Sequence, residues 1–340
     1  MTVAPRESSG SLPAVTATAL SGFPRRVANG LTVGFLALIA LASTLPGAAL
    51  LFFPELAALA YDVFIRPRGT WASAPVFLAL TPALTAVIGI AMTLWLPFSV
   101  PSILLVVALC VLLVQWLRSP VAPAISAGVL PFMTGLESWW YPAAILIGTS
   151  GLALVASCWK RLGIAQLPEG PPGDRERVDD QMERVPRRMN WIPALLLFVT
   201  GAAVLVVMTG EKMILYPPLV VIAFEMFAHP HICPWARRPI RFPLAAALSA
   251  AVGVAVVLGF GSGVFATVIA LLAGIAILKL FDLHMPPALA IGLIPQILEQ
   301  PGWSYPLSVL TGSLILAAAF LIYRSLLRRD GRSGRVKQRV

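Results

Sequence analysis

Charge is what this sequence has least of: Asp, Glu, Lys and Arg together make up 12% of it, against 58% hydrophobic residues and a mean hydropathy of +0.86. So little charge excludes a solvated globular domain and a disordered chain, and places the protein in the membrane class. Cysteine is scarce too. Cys110, Cys158 and Cys233 fall at places that do not correspond between the two halves of the chain, which argues against a disulfide framework. No P-loop, nucleophile elbow, H-E-x-x-H or haem motif occurs, so an enzyme is not expected, and neither is a cofactor or a resident metal. The chain opens without a secretory signal: residues 1–28 read as a polar cytoplasmic tail, with Arg25 and Arg26 just ahead of the first apolar run.

What is present is a pattern that occurs twice. The apolar, proline-rich stretch from Asp282 to Gly312 has a first copy from Arg118 to Gly148, 164 residues earlier. At that offset Pro123 meets Pro287, Gly128 meets Gly292, Pro131 meets Pro295, Trp139 meets Trp303 and Tyr141 meets Tyr305. Upstream, Trp71 meets Trp235 and Gly89 meets Gly253; before a one-residue slip the offset is 163, and there Asp62 meets Glu225. Apolar sequences share Leu, Ala and Val easily but not Pro, Trp, Gly and Tyr in register, so the reading is a tandem duplication.

Each half divides into six apolar segments, giving an all-α polytopic membrane protein of two parallel repeats, each with four long helices and two short, proline-led ones. The expected organisation is a cytoplasmic tail at 1–28, a first membrane repeat at 29–159, a polar cytoplasmic linker at 160–190, a second repeat at 191–324 and a basic cytoplasmic tail at 325–340. The second and fifth segments of each half run to about 16 residues, roughly 24 Å of helix, short for a hydrocarbon core of about 30 Å. Charge decides whether they cross. If they do, nearly every Lys and Arg falls on the side of the tails and linker, leaving Lys212 outside with Glu55, Glu137, Glu211 and Glu299. The expected topology is therefore about twelve segments in a bacterial-type plasma (inner) membrane, with both termini cytoplasmic. The formal charge of +10 follows from this topology and does not imply a nucleic-acid partner.

Short, proline-headed helices at corresponding places are the best sequence pointer to a transport path, because the backbone groups they free must be covered by protein or by a wet cavity. Candidate path residues are Asp62, Glu225, Pro123, Pro287, His284, Asp282, Gly128 and Gly292. Asp62 precedes Arg66 by four and Glu225 precedes His229 by four, so the two acids are either helix salt-bridge partners or substrate- or proton-handling groups. Asp282 and His284 flank a helix start, as a cap or as a titratable mouth. Arg66, Arg68, His229, His231, Arg237 and Arg238 form a basic inner mouth. The His229-x-His231-x-Cys233 run has metal-type residues but no evident fourth ligand. The Trp139, Trp140, Tyr141, Trp303 and Tyr305 group reads as an aromatic belt, Gly89, Gly148, Gly253 and Gly312 as helix-packing positions, and Asp174, Asp179 and Asp180 as a solvated charge run in the linker.

The second half resembles the HPP family of integral membrane proteins. The matching stretches are AHPHICPWARRP from Ala228, LSAAVGV from Leu248, LHMPPALA from Leu283 and WSYPLSVLTGSLIL from Trp303. The motif itself reads His284-Met285-Pro286-Pro287, with a methionine inserted, and the first half carries Pro120 where His284 would fall. The family's unit resembles one half, so the chain looks like two such units fused. Plant members are associated with nitrite movement across a chloroplast membrane, so the resemblance implies transport of a small anion. The function expected is thus a membrane transporter or channel for a small solute, with the lipid bilayer and an anion as partners and a homo-oligomer as a possible assembly. The alternative is a non-transporting membrane scaffold or assembly protein.

Overall fold

The computed structural model describes residues 15–161, 174–184, 186 and 189–337, and among them it is all helical, with no strand. The order is α1 (Val15–Ala42), α2 (Glu55–Ile65), α3 (Pro75–Trp95), α4 (Val100–Leu117), α5 (Ala124–Thr134), α6 (Trp140–Arg161), α7 (Asp174–Met182), α8 (Ile192–Thr209), α9 (Pro217–Ala228), α10 (Arg241–Phe260), α11 (Val264–Leu280), α12 (Pro287–Leu293) and α13 (Ser304–Lys337). Seven of these helices are long and apolar enough to cross a membrane, and α11 falls one residue short of that length at 17. Their outward faces carry large apolar side chains such as Trp116, Leu197, Met208 and Leu307, as a surface in contact with lipid chains does.

The four short helices are shorter than the sequence predicts: 11, 11, 12 and 7 residues for α2, α5, α9 and α12. Proline sets these limits. Pro54, Pro123 and Pro286 are the N-caps of α2, α5 and α12, and Pro217 and Pro218 open α9, positions where the missing N–H costs nothing. At the far end of α12 the chain tightens into a 3-10 turn, Ile294–Ile297, that contains Pro295. A helix of 11 residues spans about 16 Å, half the hydrocarbon core. The 3-10 turns Ala49–Leu51 and Lys212–Leu215 lead into α2 and α9.

Hydrogen bonds between connections sort the two ends of the bundle. At one end Trp71 Nε1 donates to the Pro120 carbonyl (2.8 Å), Lys160 Nζ to the Ala72 carbonyl (2.6 Å) and Arg238 to the Asp282 carbonyl (2.9 Å). At the other, Trp140 Nε1 donates to the Gly47 carbonyl (3.0 Å), the Gly263 N–H to Gln296 Oε1 (3.1 Å) and the Ser308 hydroxyl to Glu211 (3.3 Å). Each short helix therefore carries the chain from one end to the other.

Several contacts recur 164 residues apart. A Cβ on Gly89 would run into the Gly128 carbonyl, and one on Gly253 into the Gly292 carbonyl, so α3 lies backbone to backbone against α5, and α10 against α12. The Tyr141 hydroxyl donates to the Ala127 carbonyl (3.1 Å) and the Tyr305 hydroxyl to the Ile291 carbonyl (2.8 Å). Arg118 and Asp282, also a matched pair, are the described non-glycine residues at positive φ. Across the chain α2 packs against α12 and α5 against α9, while α1 meets α11 and α4 meets α8.

Three expectations change. Tyr141 and Tyr305 do not join the exposed Trp139, Trp140 and Trp303: they are buried, because their hydroxyls reach helix carbonyls inside the bundle. Glu55, expected at an outer junction, is buried within the bundle, 2% exposed in the first turn of α2. The linker contains α7, and Asp179 and Met182 within it and Glu183 just after it are buried against the bundle. Asp174 is within α7, but its side chain lies outside the described residues.

Candidate functional site

The last turn of α2 begins the site. The Arg66 N–H closes the helix on the Asp62 carbonyl (2.8 Å), and this brings the Arg66 guanidinium back over the Asp62 carboxylate. The pairing is two-pronged: Nε donates to Oδ1 (2.9 Å) and Nη2 to Oδ2 (2.7 Å), with both residues buried. The guanidinium edge left over is taken by the linker. Nη1 donates to Asp180 Oδ1 (3.2 Å) and Nη2 to Glu183, and Thr70 adds a hydroxyl to Asp180 (3.3 Å).

The other half contributes from α9 and the entry to α12. His284 Nε2 lies 3.4 Å from Asp62 Oδ1 and 3.8 Å from Asp179 Oδ2, with its ring over Tyr61 at 5.8 Å between centroids. Glu225 completes the set from α9. Asp62, Arg66, Glu183, Glu225, Trp235 and Pro287 wall a small cavity between the two halves, roofed by α7. Four buried polar atoms in or beside it have no partner among the described residues: Glu225 Oε2, Glu183 Oε2, Trp235 Nε1 and His229 Nε2. Such atoms are expensive to bury and rare, so a cluster of them marks a place built for something other than packing.

Among the described residues carboxylates outnumber cations here, and the linker groups register it. Burial, reinforced by the Asp62 charge, pushes the Glu183 carboxyl up to about 9 despite the Arg66 guanidinium beside it. Burial also raises Asp179, against the pull of His284 and Arg66. Burial lowers His229, the residue at the Arg66 position of the second half.

The structure brings together Asp62, Arg66, Glu225, His284 and Pro287 from the sequence candidates. His229 is buried nearby, but it does not form the expected side-chain pair with Glu225; their link is the backbone bond that ends α9. The remainder lie elsewhere. Gly128 and Gly292 are closed against helix backbones, and Pro123 caps α5. Asp282 pairs with Arg238 (3.0 Å), while the N-cap of α12 is Pro286, with no side-chain cap. Arg68, His231 and Arg237 are exposed, and Cys233 is buried, so His231 and Cys233 do not share a face. Asp179, Asp180 and Glu183 were missed as site residues. The signal was there: Asp179, Met182 and Glu183 stand at i, i+3 and i+4, one face of a helix.

A bundle of apolar helices enclosing a polar, partly unsatisfied cavity defines an integral membrane protein of the all-helical class. Residues 182–332 match the model of the HPP family, described as the HPP transmembrane region, which supports membership of that family. The match takes in α8 to α12 and most of α13. Neither the curated proteins nor the solved structures include a match to the chain.

Proposed function

We propose that the protein is a membrane transporter for a small solute, a small anion by family resemblance, built from two tandem copies of an HPP-type unit. The observation that carries this reading is the cavity between α2, α9 and α12, where ionisable groups stay buried and partly unpaired inside an apolar bundle. Intramembrane groups of that kind are costly and mark substrate or proton pathways. The recurring contacts 164 residues apart, the crossed packing of α2 on α12 and α5 on α9, and the gathering of connections at two ends support a pseudo-twofold arrangement in which about twelve segments cross. The end rich in Arg and Lys, with the tails and linker, is the cytoplasmic one by the positive-inside bias.

Arg66 is the anion-binding group in this reading. Asp180 and Glu183 occupy the part of its guanidinium that a nitrite-sized anion would take, so α7 closes the inner mouth and the anion competes with it. Asp62 holds the guanidinium in place, with Glu225 and His284 as its neighbours from the second half.

The test is uptake of a panel of small anions into proteoliposomes, with Arg66→Ala beside the wild type. Flux that depends on Arg66 is the expected result; no flux above empty vesicles for any anion removes the reading. One observation favours the alternative of a non-transporting scaffold: the bundle leaves little open space between its short helices. A stoichiometric partner recovered by cross-linking, together with absent flux, would select it.

A further inference from the structure

Another buried acid lies apart from the Arg66 site. Glu55 opens α2 and is 2% exposed; the Ser126 hydroxyl, in the first turn of α5, donates to its Oε1, and its Oε2 has no partner among the described residues. Among the described residues no ion pair reaches it. The titratable groups within its electrostatic reach are Tyr141 of α6 and Tyr305 of α13, and both hydroxyls are committed to helix carbonyls. Neither could neutralise a carboxylate. An isolated carboxylate buried among apolar helices is far more costly than the neutral acid.

The fold does not require this pair. In the second half the positions of Glu55 and Ser126 are held by Pro218 and Ala290, and the same helices form there without an acid or a hydroxyl. An orphaned buried carboxyl that the scaffold can do without calls for a functional account. We infer that Glu55, with Ser126, is a proton-binding site within the bundle, loaded in this closed state and unloaded when the bundle opens. The chemistry is one O–H bond: a proton from water adds to the carboxylate on one side and returns to water on the other. Its use in coupling rests on the transport reading above; the proton site itself does not.

Infrared difference spectra between wild type and Glu55→Gln, at neutral pH and after exchange into D2O, read the site directly. The expected result is a carboxylic-acid carbonyl band that is absent from the variant and shifts in D2O. A carboxylate signature, or a band that never shifts, overturns the inference. Should Glu55→Gln fail to fold, Glu55→Pro with Ser126→Ala copies the second half and serves as the reference. In proteoliposomes Glu55→Gln should lose solute accumulation driven by a pH gradient and keep exchange at equal pH; unchanged accumulation also overturns the inference. A wild type that moves nothing brings down the transport reading and leaves the proton site to the infrared band.

Discussion

Docking of α7 over the cavity should weaken as pH rises, and Glu183 should be the main reason. Its carboxyl titrates near 4.5 when free and near 9 when docked, since burial and the Asp62 charge outweigh Arg66. The docked form therefore holds the proton more tightly. Docking is strongest below the free value and is lost progressively as pH climbs toward the docked value. Within that window one group changes the docking free energy by about 1.4 kcal/mol per pH unit, so moving from about pH 7 to 8.5 costs about 2 kcal/mol, roughly 30-fold in the docked-to-undocked ratio. Asp179 has a raised carboxyl and adds in the same direction, whereas His229, lowered by burial, opposes docking only on the acid side. Spin labels at the exposed Arg68 and Arg177 positions, with Cys158 replaced by Ser, would report the separation of α7 from the loop after α2. A Glu183→Gln variant is neutral throughout, so it should stay docked at pH 7 and keep only the weaker dependence due to Asp179. The reasoning fails if the wild-type distance distribution is flat across this range, or if Glu183→Gln responds to pH as the wild type does.

Three further outcomes follow from the packing. Arg66→Ala strands Asp62, which is 1% exposed, and should cost about 3–5 kcal/mol in thermal or denaturant unfolding in detergent; Arg66→Met with Asp62→Asn should recover part of it. Gly89→Ala and Gly253→Ala each press a methyl group into the facing glycine carbonyl and should cost about 1–3 kcal/mol, whereas Gly201→Ala meets nothing within 4 Å and should be close to neutral. Tyr141→Phe and Tyr305→Phe each remove one buried hydrogen bond to a helix carbonyl and should lower stability by about 0.5–1.5 kcal/mol, by similar amounts in the two halves.

Composition and register were enough to reach a helical membrane protein with short, proline-headed helices at matching places, because apolar length and proline's missing N–H act locally. Spacing alone also predicted the Asp62–Arg66 pair, a helix-neighbour contact. The same rule failed for Glu225 and His229, although His229 caps α9 just as Arg66 caps α2: the shorter imidazole bonds to the Arg184 backbone instead of reaching back to the carboxylate. Other features depended on long-range packing. That α7 folds back to hold Arg66, that His284 of one half meets Asp62 of the other, and that Glu55 turns inward to Ser126 are contacts between residues 71 to 222 positions apart. No local periodicity encodes them. They are decided when apolar helices close on one another and the few polar groups inside must find whatever partners the assembled bundle leaves within reach.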